Sequence, residues 1–341
     1  MIRRFEENVP LSGYCTYRIG GKARLVVNVF DFEGLRRVLE IDGKKLVIGR
    51  GSKLLFSDNG YDGTVLVMRM ERFWFLNGGD GLYSGLPKMY GNGLKFACDK
   101  SSDGFGSNIL KHGGLRHDEV GVYAESGVFL PTLSRAACKK GLSGLEWAGG
   151  IPGTVGGALK MNAGAFGGDM SQVVVCADIL REGRLVRLCA EDCGFGYRRS
   201  GFYKDDVIIG AVLKLDCSGH RDALGDSVPN ESSLAKIELL CSDYAAKRVA
   251  AQPSGFSCGS IFKSVSRGKE SIPAWRFIDM CGLRGIAVGG AQISPKHANF
   301  IVNNGGACAA DVLALIRTAR AEVFIKNRIV LDEEVICIGE F

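Results

Sequence analysis

Eight glycines fall within the twenty-three residues from Trp147 to Asp169, WAGGIPGTVGGALKMNAGAFGGD. No helix interior carries that load, because each internal glycine costs roughly 1 kcal/mol against alanine. Glycine instead accepts positive φ and lets main chain approach a ligand closely. A run of bare N–H groups leading into a short helix is suited to holding phosphate. The stretch therefore predicts a loop wrapped around a diphosphate-bearing cofactor. A flexible linker is the alternative, and Ile151, Pro152, Val155, Leu159, Met161 and Phe166 argue against it, since disordered linkers are poor in large apolar residues.

At 341 residues the chain exceeds one small core, and two or three domains are expected. The net charge of +6 suits an anionic small molecule, and no basic tract points to nucleic acid. Met1 to Leu11 carries Glu6 and Glu7 and no apolar core, unlike a secretory signal. No run of eighteen apolar residues suggests a membrane span. The twelve cysteines form no C-x-x-C pair, so neither a disulfide framework nor a metal site is indicated; they read as reduced side chains of a cytoplasmic protein.

Along the chain, Leu25 to Val29 reads as a strand, followed by an amphipathic helix from Asp31 with Phe32, Leu35, Val38 and Leu39 on one face. Leu46 to Ile48 is a second strand, Gly49 and Gly51 a turn, and a hairpin-like return leads to Val65–Met68. Residues 73–118, rich in Gly, Asp, Ser and Lys, read as a long surface insertion. A strand at Val120–Ala124 and a helix from Pro131 to Gly141 precede the glycine ribbon. Gln172–Leu180 and Arg184–Leu188 read as strands paired across Glu182–Gly183, and Val207–Leu215 as another. Ser232 or Ser233 is expected to cap a helix with Leu234, Ile237, Leu240, Tyr244 and Val249 on its apolar face. A last helix, Asp311 to Lys326, turns Val312, Leu315, Ile316, Ala319 and Val323 inward, and Val335–Ile338 is a final strand.

Several stretches then fall into a recognisable order: TYRIGG (16–21), GRGSKLLFSDNGYDG (49–63), GLSGLEWAGGIPGTVGGALKMNAGAFGG (141–168), FGYRRSGF (195–202), CGSIFKS (258–264), GLRGIAVGGAQISPKHANFIVN (282–303) and LDEEVICIGE (331–340). Together they resemble the UDP-N-acetylenolpyruvoylglucosamine reductases, of the family's compact class, over nearly the whole chain. The resemblance implies an α+β fold. A two-subdomain FAD-binding unit of the PCMH, or vanillyl-alcohol-oxidase-like, type would carry an α+β substrate-binding domain. The expected division is 1–68, 69–216 with the insertion at about 73–118, and 217–329, with the strand 330–341 returning to the first. The implied reaction reduces the enolpyruvyl ether of UDP-N-acetylglucosamine to UDP-N-acetylmuramate, in peptidoglycan precursor synthesis, with noncovalent FAD as cofactor and NADPH as reductant. A cytoplasmic monomer is implied, with no nucleic-acid or membrane partner.

The resemblance also assigns residues. Ser260 matches the proton donor, Arg198 the arginine that stabilises carboxylate and developing enolate charge, and Glu334 a carboxylate orienting the reacting end. A serine in a Gly-Ser turn, a solvated arginine and a solvated acidic triplet (Asp332, Glu333, Glu334) are the ordinary fates of such residues. Gly49, Gly51, Ser52, Lys53 and Leu54, with Ile151, Pro152, Gly153, Val155, Gly156, Gly157, Asn162 and Gly164, are expected to hold FAD. Lys53 stands where the family usually has asparagine. Tyr197, Lys263, His297 and Asn299 are expected at the substrate, although a structural role for His297 is an equal alternative. Cys258 falls two residues before the acid position and is not assigned to it.

Two other functions compete. One is a flavin oxidase of alcohols or lactones, many of which attach FAD through a histidine; His112, His117, His220 and His297 all lie outside both glycine loops. The other is a nucleotide-binding module without catalysis.

Overall fold

The computed structural model describes residues 2–76, 115, 118–217, 220–221, 227–228, 231–268 and 270–341. Most of the expected insertion, with His112 and His117, lies outside the described residues. The chain divides into two compact units: one holds residues 29–41 and 68–246, the other 3–28, 42–67 and 247–341. One break between the units, at 67/68, falls beside the expected boundary at 68, and the next falls at 246/247.

The first unit is built on a five-stranded antiparallel sheet in the order Arg184–Cys189, Val174–Arg181, Val207–Asp216, Glu119–Glu125, Phe73–Leu76. Glu182 and Gly183, at φ 50° and 74°, make the tight turn between the first two. On those strands Asp178 and Arg187 stand opposite each other, and two parallel hydrogen bonds of 2.7 and 2.8 Å join them inside the unit. The helix Leu130–Lys139 buries Leu130, Leu133 and Ala137 in the same core as Val122, Ala211 and Leu213. Asp31 caps the helix Phe32–Leu39 by accepting from the Gly34 N–H at 2.7 Å. The insertion starts later than expected, because Phe73–Leu76 is an edge strand of this sheet. Trp74 stacks on Tyr123 across the strand pair at 4.9 Å, a cross-strand contact that no local period announces.

In the second unit the strands Ile2–Pro10, Lys22–Val29, Tyr61–Met68 and Lys45–Ile48 neighbour one another in that order. The last two run parallel, so the expected hairpin return is instead a crossover through Leu54–Phe56. Leu54–Phe56 itself pairs in parallel with Ile336–Ile338. One core joins Tyr17, Ile48, Leu55 and Val65 to Ile278, Leu283, Val312, Leu315 and Ile316. The helix Ala309–Asn327 buries the face expected of it: Val312, Leu315, Ile316, Ala319 and Val323.

The helix Glu231–Ala251 departs from its expected amphipathic packing. It begins ahead of Ser232, and only Ile237 of its stripe is buried, whereas Val249 is 74% exposed. Its run of Ala, Leu, Glu, Lys and Arg has enough intrinsic helix preference to form with little burial.

Candidate active site

In the first unit the glycine ribbon is fastened to its scaffold by main-chain bonds: Leu130 N–H to Gly153 O at 3.0 Å, Val155 N–H to Val128 O at 2.9 Å, and Gly156 N–H to Ser126 O at 2.8 Å. Thr154 caps the short helix Val155–Lys160. Several glycines are demanded by this packing. A Cβ on Gly156 would lie 2.8 Å from Ser126 Cβ, and one on Gly168 would lie 2.2 Å from the Trp147 indole. The ribbon is therefore a rigid, closely seated loop.

The FGYRRSGF segment is tied to that ribbon. The buried Asn162, at φ 41°, donates through Nδ2 to Gly196 O at 3.0 Å and accepts from the Ser171 N–H at 3.0 Å. Ser200 Oγ donates to Lys160 O at 2.7 Å, and Lys160 Nζ donates to the carbonyls of Phe202 and Tyr203 at 3.0 and 2.8 Å. Arg198 occupies a tight turn at φ 53° and donates through Nη2 to Gly164 O at 2.8 Å. Its guanidinium lies 5.2 Å from the ring centroid of Tyr197, which is 54% exposed. Sequence reasoning missed Lys160 and Ser200 as the fasteners of this turn, because they join elements forty residues apart. Phe166, at the tip of the ribbon, stacks on Tyr244 at 4.5 Å.

In the second unit Gly51 takes φ +61° beneath Tyr14 and Cys15; a Cβ there would lie 2.3 Å from Tyr14 O. Leu54 N–H closes a turn onto Gly51 O at 3.3 Å. The N–H groups of Gly51, Ser52 and Lys53 donate to no acceptor among the described residues. Three successive free donors on a glycine turn make a nest for an anion.

Ser260 sits on a pinned strand of backbone. Ile261 N–H donates to Asn299 O and Phe262 N–H to Asn299 Oδ1, each at 2.9 Å, while Asn299 Nδ2 donates to Phe262 O at 2.8 Å. On the other side Glu334 N–H donates to Ile261 O at 2.7 Å and Lys263 N–H to Asp332 O at 2.9 Å. The Ser260 hydroxyl has no partner among the described residues and is not fully covered. Glu334 is buried and its carboxylate meets Lys53 Nζ at 2.8 Å; the same ammonium donates to Ser260 O at 2.9 Å. Ser260, Glu334 and Lys53 thus meet in one place, whereas Arg198 belongs to the other unit.

Both ends of the Asn299 carboxamide bond to the Phe262 main chain. His297 accepts the Asn299 N–H on Nδ1 at 3.2 Å and lies edge-on to Phe300 at 4.7 Å. Burial, reinforced by the positive charge of Arg284, holds its imidazole below the usual histidine range. Burial also pushes the Cys258 thiol up to about 12, which leaves it protonated and unreactive beside Ser260. Every cysteine among the described residues is free. Among those residues no helix is long and apolar enough to cross a membrane, and no group of three or more His, Cys, Asp or Glu side chains is placed to hold a metal.

The glycine ribbon and the Gly51 nest are each seated where a side chain would collide with its own scaffold, and the nest keeps main-chain donors suited to an anion such as a diphosphate. A profile described as "FAD binding domain" matches residues 89–188, which takes in the ribbon and begins inside the expected insertion. The chain is an α+β flavoprotein of the FAD-binding class.

The profile of the UDP-N-acetylenolpyruvoylglucosamine reductase C-terminal domain matches residues 252–338. A UDP-N-acetylenolpyruvoylglucosamine reductase of Clostridioides difficile is 32% identical over 338 residues, covering 97% of this chain and 92% of the relative. That of Anoxybacillus flavithermus is 36% identical over 344 residues, covering 98% and 94%. The crystal structure of the Thermus caldophilus reductase superposes with a TM-score of 0.71 at 31% identity, covering 98% of this chain and 99% of that one. The chain belongs to the UDP-N-acetylenolpyruvoylglucosamine reductase family.

Proposed function

We propose that this protein reduces the enolpyruvyl ether of UDP-N-acetylglucosamine to the lactyl ether of UDP-N-acetylmuramate, with FAD as cofactor and NADPH as the source of electrons. The reading is carried by the likeness, over nearly the full length of both chains, to reductases named for that substrate. Saturating the enol double bond adds a hydride to one carbon and a proton to the other. Bound FAD supplies the hydride. The nest at Gly51–Lys53 would hold the diphosphate of the cofactor through its free main-chain N–H groups, whereas the ribbon, whose Ile151, Gly153, Val155 and Gly156 N–H groups are donated inside its own unit, would offer the cofactor a side-chain-free surface.

The remaining work falls to side chains. Ser260 delivers the proton from Oγ to the second carbon; its unpartnered hydroxyl on an immobile backbone suits that task, since a proton donor must be held within hydrogen-bond reach of its target. Arg198 holds the substrate carboxylate, onto which charge develops, with the planar guanidinium suited to two parallel bonds. Glu334 orients the reacting end. Tyr197 and Lys263 contact the substrate, and a cytoplasmic monomer completes the reading.

Stopped-flow absorbance on the FAD-loaded protein tests it. Wild type should oxidise NADPH in a sustained way only when the enolpyruvyl sugar is present. Ser260→Ala should slow flavin reoxidation by the sugar about 10²- to 10⁴-fold while flavin reduction by NADPH stays nearly normal. Equal loss in both halves would remove Ser260 from the acid role. Oxygen consumption with an alcohol and none with the sugar would make the protein an oxidase instead.

A further inference from the structure

We propose that Lys53 is a positioning residue of the substrate half-reaction: its ammonium clamps the Ser260 carbonyl to the Glu334 carboxylate and so fixes where the serine hydroxyl and the glutamate stand. The proposal rests on the reductase reading above. It departs from the expectation that Lys53 meets the cofactor's phosphates.

Three segments far apart in sequence converge on this ammonium. Lys53 Nζ lies 2.8 Å from Glu334 Oε1 and 2.9 Å from Ser260 O. The main chain aims it there. Lys53 O accepts the Ile336 N–H at 2.8 Å, at the start of the parallel pair Leu54–Phe56 with Ile336–Ile338, so residue 53 is locked beside 334–336 by register. From that anchor the side chain runs under the Gly259–Ser260 turn. Gly259 has φ +77°, and a Cβ there would stand 3.5 Å from Lys53 Nζ.

Charge and geometry both ask for a cation at this spot. The Glu334 side chain is only 7% exposed, and a buried carboxylate needs a paired cation or several hydrogen bonds to stay there. The bond to Ser260 O adds a second effect. Asn299 and Glu334 pin the peptides after Ser260, and Lys53 pins the Ser260 carbonyl itself. With that peptide unable to rotate, the direction of the Cα–Cβ bond is set before substrate arrives, and Oγ is limited to the few staggered positions about it. Two of the three ammonium protons are held inside the protein by Glu334 and Ser260, so the side chain is fixed toward them.

The test separates the two fates of Lys53. FAD affinity is read by fluorescence titration of the apoprotein, and the two half-reactions by stopped flow on the FAD-saturated enzyme. Lys53→Met should slow flavin reoxidation by the enolpyruvyl sugar about 10- to 100-fold, the scale of a small misplacement of reacting groups. FAD affinity and reduction by NADPH should stay close to wild type. Lys53→Arg, which keeps the cation, should recover part of the loss. Adding Glu334→Gln to Lys53→Met should cost much less than the two single losses combined, since a coupled pair is not additive. Lys53→Gln, which keeps a donor for Ser260 O without the charge, serves if the methionine variant folds poorly, and a smaller slowing in the same half-reaction is expected of it. Weakened FAD binding with normal reoxidation at saturating FAD would overturn the proposal and assign Lys53 to the phosphates. A variant indistinguishable from wild type would overturn it too. Failure of wild type itself to reoxidise with the sugar would strike the reductase reading, a different outcome from either.

Discussion

His297 shows how a residue's neighbours decide its chemistry. Its Nδ1 accepts a main-chain N–H and its ring is wedged against Phe300 and toward Trp275, so the neutral form is the one the fold requires. With the folded pKa below that of the free side chain, protons bind the unfolded chain more readily. The stabilising effect is complete above about pH 6.5, the unfolded value, and is lost as pH falls from there toward the lower folded value. Melting temperature should therefore drop between about pH 7.5 and 5.5 more steeply in wild type than in His297→Asn, which retains an acceptor and cannot titrate. Parallel curves for the two proteins would show that other groups carry the acid sensitivity. The motif KHANF placed His297 and Asn299 near the site without saying what they touch. The structure gives Asn299 to the Phe262 main chain and His297 to Asn299, so both build the platform under Ser260.

At the scale of elements, local signals performed well where the element is self-contained. The five inward residues of Ala309–Asn327 follow from a 3.6-residue period alone. Its N-terminus does not. Two of its first N–H groups, those of Ala309 and Ala310, donate to the Asp58 carboxylate at 2.8 and 3.0 Å, a cap delivered from 251 residues away. Asp58→Ala should cost about 1 kcal/mol, as loss of a capping acceptor does, read as a lower urea midpoint. Asp58→Asn should cost less. An unchanged midpoint for the alanine variant would mean that Asp311, which accepts from the Cys308 N–H at 3.0 Å, suffices. Elements whose partners lie elsewhere were harder to read. Residues 46–68 look like a hairpin in a linear scan and are a parallel crossover, because Leu54–Phe56 finds its partner at the far end of the chain. Phe73–Leu76 looks like the start of an insertion because its support comes from Tyr123 and its neighbours.

Across the whole molecule, the second unit is assembled from three separate pieces of chain that share one core. The C-terminal segment contributes Ile278, Leu283, Val312, Leu315 and Ile316, and their partners Tyr17, Ile48, Leu55 and Val65 come from the first 67 residues. The isolated segment 247–341 should accordingly lack a cooperative thermal transition, since much of the apolar surface it must bury would face water. Adding residues 3–67 as a separate fragment should restore one. A sharp melt of 247–341 alone would show that its own helices and short sheet form a sufficient core.

The amino-acid order by itself determined the family, the flavin-binding class and the residue types available for chemistry, because these live in short contiguous stretches whose glycines, serine, arginine and glutamate can be read in line. It also determined the faces of self-contained helices, which depend on neighbours three and four residues away. Tertiary structure alone decided which carbonyl and which carboxylate share the Lys53 ammonium, what Asn162 and Asn299 hold in place, and where Asp58 spends its charge. Those pairings depend on strand register and loop seating between segments tens to hundreds of residues apart, and no local period encodes them.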